Sequence, residues 1–444
     1  MKQAIKLSDH FTYKRLLLFS LPSIITMVFS SIYGIVDGFF VSNFAGEDAF
    51  VAVNLIMPFL MILGTIGFMF GAGGSALVSK QLGKGNTDKA NQYFSLLVYT
   101  AIVISIILGL CGFIFIEPIS VLLGAEGVVL DNCVTYGRII SLGLPFFVLQ
   151  MLFQSFFVTS EKPKLSFIVT LIAGCFNMIL DYFLVGLIPL GVLGAAIATV
   201  ISQIIGGLIP LIYFFSKNNS LLRLGKTKFE TKPIIKTVVN GSSEFMSNIS
   251  MSLVGMIYNF QLLHYAGEEG VASYGVIMYI SMIFAAAFIG YSIGTAPIVG
   301  FNQGAKNYDE LKSLLRKSMK IIIIISLCMT VLSELLAYPF SYLFVGYNEN
   351  LLNMTINAFR IYSFAYLFMG IAIYSSGFFT ALNDGVTSAI ISFLRTLVFQ
   401  IIAVLILPLI FNINGIWYSI IVAEFMAVVV SFIFLKIKQK KFNY

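Results

Sequence analysis

Five carboxylic side chains lie inside long apolar segments of this 444-residue chain: Asp37, Asp181, Glu244, Glu334 and Glu424. An acidic residue at the centre of a membrane-spanning helix costs about 2.5–3.5 kcal/mol, so such groups usually face a cavity or a partner. Acids that lie at the same membrane depth as other polar residues therefore indicate where a functional site is expected.

Four oxygen-bearing side chains are expected to converge in the first half of the chain. Asp37 and Asp181 each lie near the outer end of an apolar segment, Asn177 precedes Asp181 by one helical turn, and Thr199 falls at a similar depth. Two carboxylates in a low dielectric cannot both stay charged without a cation, so one takes a proton or Na⁺ binds among the oxygens. We predict that these four residues couple transport to a cation and are the metal ligands if the ion is Na⁺. The alternative is that each merely hydrogen-bonds a neighbouring helix.

A second polar set lies near mid-membrane depth in the second half of the chain. Arg395 is expected to neutralise Glu244, Glu424 or both, which leaves at most one negative charge for a cationic substrate. A buried ion-pair network that fixes helix packing is the alternative. The predicted substrate cavity comprises these three residues together with Gln150 and Gln154, which share one helix face.

Pro22 lies in the same apolar segment as Asp37, fifteen residues before it. Proline removes a backbone hydrogen bond and loosens a helix. We predict a hinge at Pro22 that bends when Asp37 is protonated, with a static kink as the alternative.

The composition requires a membrane protein. Apolar residues make up 59% of the chain and charged residues 11%, whereas soluble domains carry about 25% charged residues. Twelve apolar runs are long enough to span a bilayer as helices, at 16–41, 51–78, 93–116, 134–158, 165–186, 191–215, 235–263, 271–299, 318–340, 355–381, 386–410 and 414–435. No nucleotide-binding, zinc-protease or serine-hydrolase motif is present, so neither enzymatic activity nor a cofactor is expected.

The lysines and arginines predict the orientation. With both termini placed in the cytoplasm, 24 of the 27 basic residues fall in inner segments, and no outer loop carries one. This asymmetry predicts a multi-pass protein of the inner (plasma) membrane with cytoplasmic termini. The net charge of +7 is then an orientation signal, and no nucleic-acid partner is expected.

The chain also resembles itself at an offset of 221 residues. Ala45-Gly46-Glu47 recurs as Ala266-Gly267-Glu268, and Gly83 and Asp88 recur as Gly304 and Asp309. Six helices return to the same side of the membrane, so the repeat predicts two lobes of parallel topology around a central cleft. The expected division is an N-terminal lobe at 1–216, a cytoplasmic linker at 217–232 and a C-terminal lobe at 233–444. Because one chain contains a complete cleft, we expect it to work as a monomer. The repeat does not extend to the predicted cation site, since Tyr258 and Ile420 occupy the positions equivalent to Asp37 and Thr199.

These features resemble the multidrug and toxic compound extrusion (MATE) antiporters, of bacterial type, over essentially the whole chain. The specific matches are Leu21-Pro22 with Ile35-Val36-Asp37, the spacing Asn177-x-x-x-Asp181, Thr199, and the segment Gln81-Leu82-Gly83-Lys84-Gly85-Asn86. The segment 240–245, with Glu244, resembles a branch that carries an acidic residue early in helix 7.

The resemblance implies an all-α membrane fold that exports amphipathic, often cationic compounds in exchange for H⁺ or Na⁺. It also implies a cation site at Asp37, Asn177, Asp181 and Thr199, and a helix that bends at Pro22. A lipid or lipid-linked saccharide flippase of the same superfamily is an alternative, although only Arg395 is placed to hold a phosphate. A channel or receptor is a further alternative. It is disfavoured by the repeat and by an acidic site that occurs in only one half of that repeat.

Overall fold

The computed structural model describes residues 5–444, so Lys2, one of the inner cations counted above, lies outside the described residues. All regular secondary structure in the described residues is helical, and no β-strand is present among them. Its helices are α1 Tyr13–Ala45, α2 Glu47–Gly83, α3 Thr87–Leu122, α4 Gly127–Thr159, α5 Pro163–Leu187, α6 Val192–Phe215, α7 and α8 within Thr231–Gly304, α9 Tyr308–Val345, α10 Glu349–Ser363 with Tyr366–Ala381, α11 Gly385–Phe411 and α12 Ile413–Phe442.

The segment Thr231–Gly304 is two spanning helices joined by a sharp turn. Its 74 residues would form a helix of about 110 Å, far longer than the roughly 30 Å hydrocarbon core of a bilayer. Gly267 breaks it with a φ of 63°, which separates α7 (231–266) from α8 (268–304). With this division the described chain has the twelve spans that the sequence predicts.

The α10 span is bent by 47° between Ser363 and Tyr366, where the sequence predicts one continuous helix. The Ser363 hydroxyl donates to the Arg360 carbonyl at 2.7 Å and also to Glu334. Hydrogen bonds from serine to the preceding helical turn open the backbone and bend helices. The bend coincides with these contacts of Ser363, which the apolar pattern of the sequence does not reveal.

The internal repeat is visible in the turns. Left-handed backbone conformations occur in pairs at the predicted offset of 221 or 222 residues: Gly46 with Gly267, Gly85 with Lys306, Glu161 with Asn383, and Gly191 with Asn412. Such conformations are uncommon outside glycine. Their recurrence means that four connections have a residue of positive φ at the equivalent position in both halves.

We call the two halves the first lobe (α1–α6) and the second lobe (α7–α12). The side of the molecule that holds Tyr13, Gly83, Gly304 and Phe442 is the terminal face, and the opposite side is the far face. The tightest contacts between the lobes lie toward the terminal face. A Cβ added to Gly73 of α2 would lie 2.2 Å from the Thr237 carbonyl oxygen of α7, and one added to Gly304 would lie 2.2 Å from the Lys80 carbonyl oxygen.

The far half of the same helices is open. A Cβ added to Gly34 of α1, Gly255 of α7 or Gly275 of α8 would meet nothing within 4 Å. The lobes are therefore in direct backbone contact toward the terminal face, whereas space is left beside these three glycines toward the far face.

Candidate cation and substrate site in the first lobe

A cavity of about 300 Å³ lies within the first lobe and is bordered by α8 of the second. Its lining is mostly apolar and rich in methionine and aromatic residues. Its polar side chains come from four helices of the first lobe (α1, α4, α5 and α6): Ser30, Ser31, Tyr33, Asp37, Tyr136, Gln150, Gln154, Asn177, Thr199, Ser202 and Gln203.

The structure brings together the four residues that the sequence places in one cluster. The neighbours of the Asp37 carboxyl are the side chains of Asp181, Asn177 and Thr199. Asp181 is fully buried and Asn177 nearly so, while Asp37 and Thr199 are half-buried. The predicted convergence of α1, α5 and α6 is therefore present.

Most oxygens of this cluster lack a well-formed hydrogen bond. Asp37 Oδ1, Asn177 Oδ1, both Asp181 carboxylate oxygens and Thr199 Oγ1 are buried without a hydrogen-bond partner among residues 5–444. Buried polar atoms are nearly always paired, and an unpaired one costs about 1–3 kcal/mol. Such a concentration of unpartnered oxygens around two carboxylates can be satisfied by a proton shared between the carboxylates or by a bound monovalent cation.

Local helix geometry positions the two acids. The α1 helix changes to a π-helical turn at Val41–Ala45, four residues after Asp37, and α5 does so at Tyr182–Leu187, directly after Asp181. A π-helical turn widens the helix, and such turns are frequent at functional sites.

No group of three or more histidine, cysteine or acidic side chains that could hold a metal occurs in the described part of the chain. The cluster offers two carboxylates, one amide oxygen and one hydroxyl, which are all hard oxygen ligands.

Gln150 and Gln154 line the cavity as the sequence predicts, with their Nε2 groups buried and unpartnered within the described residues. Sequence reasoning missed Tyr136 and Gln203, whose Oη and Oε1 atoms are also buried there without partners. Gln203 follows Thr199 by one helical turn, a spacing that would have identified it. Tyr136 gave no comparable signal, because tyrosines are common in membrane helices.

Pro22 lies in α1 near the terminal face, where α1 packs against α8. The helix continues through it without a break, and the Thr26 hydroxyl donates to the Pro22 carbonyl at 2.7 Å. A Cβ added to Gly290 of α8 would lie 2.6 Å from the Ile24 Cα. A bend at Pro22 would therefore change the contact between the lobes.

The second-lobe polar set divides into a pair and a single residue. Arg395 Nε donates to both carboxylate oxygens of Glu424 at 2.8 and 3.0 Å, and Glu424 is 1% exposed. Glu244 lies half-buried on α7 and forms no ion pair with another described residue. None of the three lines the first-lobe cavity.

The Arg395–Glu424 pair provides a test of stability. We expect Glu424→Gln to destabilise the second lobe by about 3 kcal/mol, because it leaves a buried guanidinium without its counter-charge. Thermal unfolding of the purified protein measures this as a lower Tm. The double variant Arg395→Gln/Glu424→Gln should recover much of the loss, and a double variant as unstable as the single one would contradict the pairing.

Comparisons with known proteins agree with this architecture. The sequence profile of the MatE family matches twice, at residues 22–183 and 245–406. The chain is 28% identical to a multidrug export protein MepA of Staphylococcus haemolyticus, over 93% of this chain and 90% of that protein. It is 27% identical to MepA of Staphylococcus aureus, over 93% and 91% of the two chains.

Solved structures show the same fold. A MATE crystal structure in complex with MaL6 superposes with a TM-score of 0.94 at 21% identity, and each chain covers 100% of the other. An outward-facing multidrug resistance MATE transporter superposes with a TM-score of 0.91 at 22% identity, over 100% of this chain and 99% of that one.

Proposed function

Because this chain belongs to the MatE family of multidrug efflux transporters, we propose that it exports amphipathic, often cationic compounds in exchange for H⁺ or Na⁺ by alternating access. The observation that carries the proposal is the set of buried oxygens without hydrogen-bond partners at Asp37, Asn177, Asp181 and Thr199, open to a cavity through Asp37, Asn177 and Thr199.

Competition between the coupling cation and the substrate couples the movement of one to the movement of the other. With the cleft open to the far face, a proton or Na⁺ enters the cluster and neutralises the single negative charge that Asp37 and Asp181 retain when they share one proton. A cationic substrate in the same cavity then loses its electrostatic attraction and leaves. When the cleft opens to the terminal face instead, the cation is released and the cluster regains its negative charge for the next substrate. Bending of α1 at Pro22 would link the charge on Asp37 to the lobe contact near Gly290.

The cavity lining determines the class of substrate. Methionine and aromatic side chains offer an adaptable apolar surface, which suits substrates of varied shape. Among the described lining residues, Asp37 is the charged one, so the cavity favours cations and offers no basic group to a lipid phosphate. This composition favours drug export over the flippase alternative.

The lobe assignment and the orientation are also parts of the proposal. Residues 1–216 form the first lobe, 217–232 the linker and 233–444 the second lobe, and a single chain suffices for transport. The positive-inside rule places the terminal face in the cytoplasm. In the second lobe, Glu244 is available to a cationic substrate, whereas Arg395 and Glu424, which neutralise each other, serve the packing of the lobe.

Dye transport in proteoliposomes tests the proposal. Export of a fluorescent cationic dye should follow an imposed H⁺ or Na⁺ gradient, and the gradient that drives it identifies the coupling ion. Dye movement that ignores both gradients would contradict cation coupling, and lipid-linked substrates would then be tested in the same vesicles.

The buried glutamines should set substrate affinity without affecting coupling. We expect Gln154→Leu to weaken dye binding about tenfold, because it removes a buried amide that can hydrogen-bond the substrate. Dye affinity of the purified protein, measured by fluorescence polarisation, checks this. Leu142→Gln, an exchange between the same two residue types at a lipid-exposed position of α4, is the control and should leave affinity unchanged.

A further inference from the structure

Residues Leu7–Phe11, which precede α1, lie across the terminal face as an ordered segment that we call the strap. Leu7 and Phe11 are fully buried, with 0% of their surfaces exposed, and both belong to the main apolar core. The side chains of a segment that hung free in solvent would not be buried in this way.

The strap is held by one carboxylate from each lobe. The Leu7 backbone N–H donates to Glu161 Oε1 at 2.6 Å, and Glu161 lies in the turn between α4 and α5 of the first lobe. The Phe11 backbone N–H donates to Glu310 Oε1 at 2.9 Å, and His10 Nδ1 lies 2.6 Å from Glu310 Oε2. Glu310 belongs to the first turn of α9 in the second lobe.

The second-lobe anchor is the stronger of the two. Glu310 is 6% exposed and accepts from the strap with both oxygens, while Lys317 Nζ of α9 donates to the Phe11 carbonyl at 2.5 Å. Hydrogen bonds with a charged partner are about twice as strong as neutral ones. If the strap left, the buried carboxylate of Glu310 would lose these partners.

The connection between the strap and α1 is only one residue long. Thr12 alone separates Phe11 from the first helical residue, Tyr13, and Thr12 caps that helix by accepting from the Arg15 N–H. The terminal end of α1 is therefore tied directly to α9. Because α1 belongs to the first lobe, separation of the first lobe from the second at the terminal end of α1 must break the contacts at Glu310.

We infer that the strap is a latch which holds the two lobes together on the terminal face, with Glu310 as its catch. Opening of the cleft to the terminal face requires that Glu310 release Phe11 and His10. The inference rests on the alternating access of the proposed function. The latch favours the state that is open to the far face, and it sets how often the cleft opens to the terminal face.

Distance measurements between spin labels test the latch independently of transport. With the four native cysteines replaced, labels at Lys89→Cys on α3 and Lys312→Cys on α9 report the separation of the lobes at the terminal face. Both lysines are exposed. We expect Glu310→Ala to raise the ratio of long to short distances about tenfold, which corresponds to about 1.4 kcal/mol.

Asp309→Ala is the matched control, because Asp309 is an exposed acid in the same helical turn without a contact to the strap among the described residues. A larger shift for Glu310→Ala than for Asp309→Ala supports the latch, and equal distance distributions overturn it. If Glu310→Ala does not fold, Phe11→Ala serves the same test with the same two outcomes. Failure of gradient-driven dye transport by the wild type would refute the proposed function and leave the distance result intact.

Discussion

Replacement of Asp37 by asparagine should reduce gradient-driven dye export about 100-fold, the largest effect expected of any single substitution in this chain. Asparagine keeps the size of the side chain but cannot take up a proton or carry the charge that attracts a cation. Loss of a charged acceptor in a buried site costs about 3 kcal/mol, which is about 100-fold in rate or affinity. The measurement is dye export from proteoliposomes under each imposed gradient.

Asp48→Asn is the matched control, since Asp48 is an exposed acid in the first turn of α2 and the chemical change is the same. Export by this variant should equal that of the wild type. Full gradient-driven export by the Asp37 variant would contradict the assignment of the coupling site to the first lobe.

The second large effect is expected at the contact between the lobes. The Cβ of Gly73→Ala would lie 2.2 Å from the Thr237 carbonyl oxygen and 2.7 Å from the Gly241 nitrogen. Both are backbone atoms, which cannot move aside as a flexible side chain would, so α2 and α7 must separate. Overpacking of this kind costs about 1–3 kcal/mol. Because the clash exists only while the terminal face is closed, the variant should lose that state selectively, and dye export should fall at least about tenfold.

Gly255→Ala on the far half of α7 is the corresponding control, because its Cβ would meet nothing within 4 Å. Alanine is also the better helix former there. Export by Gly255→Ala should be unchanged. If Gly73→Ala exported dye as fast as Gly255→Ala, tight closure at the terminal face would not be part of the transport cycle.

The sequence was sufficient to predict the spanning helices and the repeat, because both depend on local signals. Apolar runs of about 20 residues must be helical in lipid, and the repeated Ala-Gly-Glu marks the turns at Gly46 and Gly267. The first-lobe cluster could also be predicted, since helix direction and residue count place Asp37, Asp181 and Thr199 at one depth.

Features that depend on backbone irregularity or long-range contact were not predictable in this way. The π-helical turns after Asp37 and Asp181 add one residue to a helical turn without a change of composition. Tyr136 reaches the cavity because of how α4 is rotated, which the weakly amphipathic α4 sequence does not specify. The contact between Phe11 and Glu310 joins residues 299 positions apart, and no local pattern in either segment indicates it.

Competition between dye and cation for the purified protein tests the central claim most directly. The dissociation constant of a cationic dye would be measured across a range of pH and of Na⁺ concentration, for the wild type and for Asp37→Asn. If the first-lobe oxygens bind the coupling cation, protons or Na⁺ will weaken dye binding by the wild type and will not affect the variant. A dye affinity of the wild type that is independent of both pH and Na⁺ would contradict the claim.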